Sequence, residues 1–303
     1  MANFIAIGIF SGLIYSLVAL GYTLVYGVLR LINFAHSEVL MSGGFAGYFY
    51  LHYTMGDQTP GLWGSLFYVF TSILVAGIAG GVVALLLERF AYRPLRRRNA
   101  PKLSFLISAI GASYFLSNLA GKEFGRYSVA LPQPFDNHVA FTLWGAAIST
   151  YDIVILIAAV ILLLVLDWMV SRTKLGRSVR AVAQDSEAAS LMGVDVDRTI
   201  ATTFILGGFM GGAAGVLVAI PSGVSYTMGF KPALLAFTAA VLGGIGNVRG
   251  AMVGGVVLGI VMSVPIYWLQ QGWYQEVIGF SVLVLILLFR PTGLLGESLG
   301  RSA

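Results

Sequence analysis

The sequence contains no cysteine, and only 10% of its 303 residues are charged. Without cysteine the chain forms no disulfides, thiolate metal sites or cysteine nucleophiles. Soluble globular domains carry about 25% charged residues, so this chain has too little charged surface for a soluble fold. Hydrophobic residues make up 58% of it and recur from end to end. We therefore predict one transmembrane domain over residues 1–303, surrounded by membrane lipid.

The sequence also lacks the motifs of several enzyme classes. A phosphate-binding loop ends in Gly-Lys-Ser/Thr, but the single lysine that follows a glycine, Lys122, is itself followed by Glu123. The H-E-x-x-H motif of zinc proteases is missing too. These absences predict a protein that is not an enzyme, with no catalytic residues, no metal and no cofactor of its own.

About nine long segments with few charges divide the chain. They are Ala2–Leu29, Val39–Tyr53, Leu62–Leu87, Leu103–Gly121, Asp152–Val170, Thr199–Ile220, Pro232–Val248, Gly250–Leu269 and Tyr274–Phe289. The second and the seventh are short and rich in glycine, which is typical of broken or re-entrant membrane helices. The pattern predicts an all-α, polytopic transmembrane helical bundle with about eight to ten membrane segments.

Lysine and arginine indicate the orientation, because cytoplasmic loops retain them. Here they concentrate in two loops, Arg89–Lys102 and Arg172–Arg198. Two apolar segments separate these loops, which places the connection Lys122–Tyr151 outside. Of the 18 lysines and arginines, only three then lie outside: Lys122, Arg126 and Lys231. Membrane orientation explains the net charge of +5, and no nucleic-acid partner is predicted.

The order of segment types repeats along the chain. A long segment, a short glycine-rich one and two further spans run from Ala2 to Gly121, and the same order runs from Thr199 to Phe289. An odd number of crossings separates the two starts, so the halves have opposite orientation. This order predicts an inverted repeat, in which transporters form a central pathway between the halves.

Four polar residues before the first short segment are candidates for a translocation pathway. Asn33, His36, Ser37 and Glu38 adjoin apolar sequence, where ionisable groups are costly and often functional. A broken helix would turn them inward. The alternative interpretation is a helix start at the cytoplasmic interface, with Ser37 as its N-cap.

The cytoplasmic loop 172–198 is the most informative polar stretch. Within it, Val182–Met192 is predicted to form a short helix, and Gly193 is well placed to end it. Its acidic and alanine-rich composition suits docking to a cytoplasmic partner. A solvated linker helix is the alternative.

This loop reads Glu187-Ala188-Ala189, three residues and then Gly193, which resembles the EAA-x-x-x-G loop of ABC importer permeases. The downstream Ile-x-Leu-Pro part of the longer pattern is missing. Four further stretches look like permeases of the branched-chain amino acid importer family, of the shorter H type: residues 12–48, 176–196, 233–259 and 287–296. The resemblance covers nearly the whole chain, so the sequence is identified as a member of this family.

Membership implies a transmembrane permease subunit of an ABC importer for branched-chain or other neutral amino acids, located in the bacterial inner membrane. It also implies a second permease of the same family, two cytoplasmic ATPases that bind the ATP, and a periplasmic solute-binding protein. By the same resemblance, Glu187, Ala188, Ala189 and Gly193 are expected to couple the ATPases to transport.

Two alternatives stay open. Within the family, urea or short amides could be the substrate, although urea permeases usually carry a long extra N-terminal region and Met1 here is followed at once by the first span. Outside the family, an ion-coupled secondary transporter could also use an inverted repeat. Such a transporter needs ligands for its coupling ion, and intramembrane carboxylates are few here.

Overall fold

A computed structural model describes residues 1–55, 60–135, 137–143, 145–269, 271–290 and 292–296. Eight of the nine predicted apolar segments correspond mainly to one helix each, and the predicted segment Gly250–Leu269 is divided between two helices. In chain order the helices are α1 (Ala2–Leu29), α2 (His36–Met55), α3 (Leu62–Leu87), α4 (Arg93–Arg97), α5 (Lys102–Glu123), α6 (Thr150–Arg172), α7 (Lys174–Gln184), α8 (Ser186–Leu191), α9 (Val196–Ser222), α10 (Phe230–Gly243), α11 (Val248–Ser263), α12 (Ile266–Leu269) and α13 (Tyr274–Phe289).

Six helical stretches in the described part of the chain are long and apolar enough to cross a membrane. They contain α1, α3, α5, α6, α9 and α11, while α10 and α13 are shorter apolar helices. A π turn, Glu88–Tyr92, continues α3 into α4. A short antiparallel hairpin of β1 (Val139–Leu143) and β2 (Ala146–Ser149) lies between α5 and α6. The predicted helical bundle is confirmed, with this hairpin as a small addition.

Small residues bring the central helices into close contact. A Cβ on Gly12 of α1 would lie 2.7 Å from the Cα of Val256 in α11. A Cβ on Gly80 of α3 would likewise lie 2.7 Å from the Cα of Gly212 in α9. At such distances the helix backbones themselves touch, which is how membrane helices gain packing energy when lipid is as apolar as their side chains.

The helix contacts repeat in the two halves of the chain. In the repeat, α1, α2 and α3 correspond to α9, α10 and α11. The contact of α1 with α11 then matches that of α9 with α3, and the contact of α1 with α10 matches that of α9 with α2. The start of α1 and the end of α9 share one end of the bundle, because Asn3 accepts a hydrogen bond from the Ala147 N–H (2.9 Å) and Val224 pairs with Val129 of the same α5–α6 connection. The equivalent helices α1 and α9 are therefore antiparallel, in agreement with an inverted repeat.

Basic residues predicted to be cytoplasmic gather at the opposite end. Arg30 donates to the carbonyl of Ala183 at 3.4 Å, and Arg249 pairs with Asp167 at 3.1 Å. Lys231, predicted to be outside, instead pairs with Glu276 near the start of α13. The charge asymmetry of the sequence thus becomes a separation of charge along the bundle.

Candidate functional site: a buried polar cluster and an exposed helix pair

α2 starts inside the bundle and not at its end. Gly43 and Gly47 of α2 face Gly212 and Val216 of α9, so the two helices run parallel. If this alignment is continued, His36 lies beside a position about nine residues into α9, which is roughly 14 Å from the start of that helix. The segment between α1 and α2 therefore leads back into the bundle, as expected for a re-entrant segment.

The start of α10 meets the start of α2. Gly229 directly precedes α10, and a Cβ on it would collide with the backbone carbonyl of Ser37. The two short helices of the repeat thus begin at a common point where the halves of the chain join. This junction is the centre of the candidate pathway.

The four predicted pathway residues lie together and are buried, with exposed fractions between 1% for His36 and 5% for Glu38. The Asn33 Oδ1 accepts a hydrogen bond from the Ala35 N–H at 3.1 Å, so Asn33 holds the turn directly before α2. Ser37 lies inside α2, and its hydroxyl donates to the carbonyl of Phe34 or to Glu38. The alternative prediction of Ser37 as the N-cap is therefore wrong, because α2 already begins at His36.

Glu38 joins α2 to α5. Its Oε1 accepts hydrogen bonds from the hydroxyls of Ser37 and Ser113, each at 2.9 Å. Ser113 belongs to α5 and is not part of the predicted set. Sequence reasoning missed it because a lone serine in an apolar segment carries no signal until its neighbour is known.

His36 is held between two glycines. A Cβ on Gly211 of α9 would lie 3.0 Å from the His36 Cε1, and a Cβ on Gly21 of α1 would collide with the imidazole. The ring of Tyr22 lies 4.7 Å from the imidazole. These glycines provide the space that the imidazole fills.

A small cavity adjoins this cluster. It has a volume of about 10 Å³ and is lined by Tyr22, Tyr26, Ile32, Phe237, Ala240 and Ile245. Ligand pockets usually measure about 300–1,000 Å³. The cavity is therefore smaller than a usual ligand pocket, and the junction of the two halves is closed in this conformation.

The second candidate site is the helix pair formed by α7 and α8. Asp185 separates the two helices, and its side chain accepts from the N–H groups of Glu187 (2.9 Å) and Ala188 (3.0 Å). The prediction of one helix over Val182–Met192 is wrong, because this N-cap starts a second helix. Gly193 adopts a left-handed conformation with φ of 86°, which confirms its role in ending the helix.

The predicted coupling residues differ in exposure. Glu187, Ala188 and Gly193 are exposed, whereas Ala189 is buried. Ala189 therefore helps to seat α8 on the rest of the chain.

Two large apolar residues near the end of α8 are missing from the predicted set. Leu191 and Met192 are 89% and 85% exposed. Their signal in the sequence is an apolar pair directly before a helix-ending glycine in an otherwise polar loop.

With both sites described, comparison with known proteins becomes informative. A family model described as "Branched-chain amino acid transport system / permease component" matches residues 4–287. The chain belongs to this permease family. It is 40% identical to the high-affinity branched-chain amino acid transport system permease protein LivH of Escherichia coli K12, over 96% of this chain and 94% of LivH. It is also 38% identical to BraD of Pseudomonas aeruginosa, over 96% of this chain and 94% of BraD.

A solved structure supports the fold. PsaBC from Streptococcus pneumoniae in complex with Fab aligns with a TM-score of 0.50 and 12% identity, covering 96% of this chain and 92% of the other. The permease is thus a polytopic helical protein of the inner membrane. The family prediction from sequence is confirmed, and neither the urea alternative nor the ion-coupled alternative is favoured by these relatives.

Proposed function

We propose that this permease carries branched-chain or other neutral amino acids through the membrane as one subunit of an importer driven by separate ATPase subunits. The observation that supports this most directly is the 40% identity with LivH over 96% of the chain. The whole chain then forms a single permease domain, in which residues 172–198 are the coupling loop.

The proposed importer contains a second permease of the same family, two cytoplasmic ATPases and a periplasmic solute-binding protein. The sequence has no phosphate-binding loop motif, so another subunit has to bind ATP. Most of α5 is left uncovered by the rest of the described chain, which leaves a surface for a second permease or for lipid. The permease names of the relatives support the same assembly.

The ATPase contact is assigned to the exposed surface of α8 and the turn after it. Glu187 and Ala188 lie on this surface, and Leu191 and Met192 project beyond it. Burying one such large apolar side chain stabilises a complex by about 1.5–3 kcal/mol. An apolar pair at the cytoplasmic end of the bundle therefore suits an anchor in a groove of the ATPase.

The buried polar cluster is assigned to the closed part of the pathway. Asn33, His36, Ser37 and Glu38 lie where the two halves meet, next to the contact between Ser37 and Gly229. Opening the pathway would separate the starts of α2 and α10. Since few charges line the described spans, the solute-binding protein is expected to supply most of the substrate selectivity.

Reconstitution tests this function. The chain, its second permease and its ATPases would be placed in proteoliposomes, and uptake of labelled leucine, alanine and urea would be followed after addition of the solute-binding protein and ATP. We expect ATP-dependent uptake of an amino acid. Uptake by this chain alone with an ion gradient, or uptake of urea only, contradicts the proposal.

A separate experiment tests the coupling surface. Ala188→Trp is expected to abolish copurification with the ATPases, because a bulky side chain overpacks the contact face. Gly193→Val should act similarly, since a left-handed conformation costs about 1–2 kcal/mol in other residues. Asn137→Trp, at the other end of the bundle, is the control. Normal ATPase binding and transport by both coupling variants would move the contact to another cytoplasmic segment, such as Arg89–Lys102.

A further inference from the structure

Polar side chains form a line of contacts from the start of α9 to the start of α2. Asp197 in the first turn of α9 accepts a hydrogen bond from Arg96 at 2.6 Å, and Arg96 also donates to Glu88 at 3.0 Å. Glu88 and Tyr92 belong to the same π turn. The Tyr92 hydroxyl donates to the Asn33 Oδ1 at 2.8 Å. The backbone of the π turn joins these two sets of contacts, which lead from the start of α9 to the segment before α2.

The two ends of this line belong to the two candidate sites. Asp197 follows the helix-ending Gly193 by four residues, so any displacement of α8 reaches it through a short segment. Asn33 accepts a hydrogen bond from the Ala35 N–H and so holds the turn directly before α2. The line thus begins beside the coupling loop and ends at the pathway junction.

The middle of the line is shielded from water. Glu88 and Tyr92 are each only 1% exposed. Hydrogen bonds to charged groups are stronger than neutral ones, and removing one partner of a buried pair is far more costly than removing one of an exposed pair. The Arg96–Asp197 pair at the outer end is partly exposed, with 22% and 33% of the two side chains accessible. A shift of Arg96 is passed on to Glu88, because water does not reach the buried carboxylate.

Arg96 is shared between two carboxylates. It contacts both Asp197 and Glu88 through the same nitrogen, Nη2. Within the described residues, its Nη1 and the Glu88 Oε2 are buried and have no hydrogen-bond partner. A two-bond pairing of Arg96 with Glu88 would use both of these atoms and would be stronger than a single contact. The observed arrangement thus competes with a second one in which Arg96 leaves Asp197.

The π turn provides a backbone that accommodates this change. Such turns are rare and often lie at functional sites inside α-helices. Converting the π turn to regular α-helix would rotate its last residue, Tyr92, and the segment after it by about 100° relative to α3. That rotation would withdraw the Tyr92 hydroxyl from the Asn33 Oδ1, which would keep only its bond from the Ala35 N–H in the turn before α2.

We propose that Arg96 and Tyr92 are positioning residues that transmit movement of the coupling loop to the start of α2. The inference rests on the proposed function, because it assumes that ATPase subunits move α8. When α8 moves, Arg96 transfers from Asp197 to full pairing with Glu88, the π turn changes, and Asn33 loses its bond to Tyr92. The pathway junction then opens.

Tyr92→Phe tests the transmission with the smallest change, since it removes one hydroxyl and keeps the ring packed 5.3 Å from Phe204. Tyr50→Phe is the matched control, because the Tyr50 hydroxyl donates to Thr71 between α2 and α3, also at 2.8 Å but away from the coupling loop. In the complete reconstituted importer, we expect Tyr92→Phe to lower amino acid transported per ATP by about tenfold. ATP hydrolysis without substrate and subunit assembly should stay unchanged, and the control should stay within about twofold.

Asp197→Asn supplies a second test, with Asp167→Asn as its control, because Asp167 pairs with Arg249 at the same end of the bundle. We expect only Asp197→Asn to lose the stimulation of ATP hydrolysis by loaded solute-binding protein. An unmodified importer without ATP-dependent uptake would contradict the proposed function before any variant is compared. With a working importer, the inference is overturned if Tyr92→Phe and Tyr50→Phe have equal transport per ATP, whether both keep it or both lose it.

Discussion

The two short helices at the centre of this permease occupy equivalent places and differ in chemistry. α2 starts with His36 and Glu38 in its first turn, and Asn33 holds the turn directly before it. α10 starts after Gly229 and has no side-chain cap. Small residues reproduce the same packing in both halves, whereas among the residues that the structure describes the buried polar cluster lies in the first half. Repeating a packing scheme therefore does not require repeating the functional groups placed on it.

The largest expected effect comes from filling the space around the cluster of the first half. Gly21→Val would force a side chain into the His36 ring and toward the carbonyl of Gly207, 2.8 Å from the Cβ position. We expect a loss of about 3 kcal/mol or more in stability, measured as thermal unfolding in detergent, and no transport. Gly27→Val is the control in the same helix, because no atom lies within 4 Å of its Cβ position. Similar stability of the two variants would contradict this packing.

A smaller effect is expected at the start of the second short helix. Gly229→Ala adds one methyl group against the Ser37 carbonyl, and we expect transport to fall by about tenfold, equivalent to about 1.4 kcal/mol. Gly272→Ala, where the Cβ would meet no atom within 4 Å, should transport normally. Unchanged transport by Gly229→Ala would show that the starts of α2 and α10 do not need this contact.

The polar cluster itself is tested by removing one hydrogen bond to Glu38. Ser113→Ala should slow transport by up to about fivefold, since a hydrogen bond contributes about 1 kcal/mol, and the order of preferred amino acids should not change. Ser117→Ala is the control on α5, because its hydroxyl donates only to the carbonyl of Tyr114 in the same helix. A change in which amino acid is preferred would show that the cluster selects substrate, against the expectation of a passive passage.

The smallest expected effect concerns topology. Two single-cysteine variants should be labelled from opposite sides of the membrane, and neither should change transport activity. Because the chain contains no cysteine, single cysteines at Asn137 and Asn99 can be labelled from either side of the membrane. An inverted repeat with the predicted orientation places Asn137 outside and Asn99 in the cytoplasm. Labelling of Asn137 only from the cytoplasm would reverse the orientation of both halves.

The comparison also shows how far the candidate sites could be predicted. Asn33, His36, Ser37 and Glu38 were identifiable because polar residues stand out next to apolar sequence. Ser113 and Tyr92, which bind two of them, were not, because each depends on a neighbour distant in the chain. Ala189 was named as a coupling residue from the motif, but its burial against the chain could not be read from a motif.

By itself, the sequence determined the membrane class, the apolar segments, the uneven distribution of basic residues and the family. These properties follow from local composition and length, because membrane insertion depends on the hydrophobicity and length of each segment and orientation depends on the basic residues in the loops. Only the tertiary structure decided that α2 begins inside the bundle, that Asp185 divides the coupling loop into two helices, and that Arg96 links Asp197 with Glu88. The physical reason is that hydrogen bonds and glycine contacts between helices depend on register and crossing geometry, which no single segment encodes.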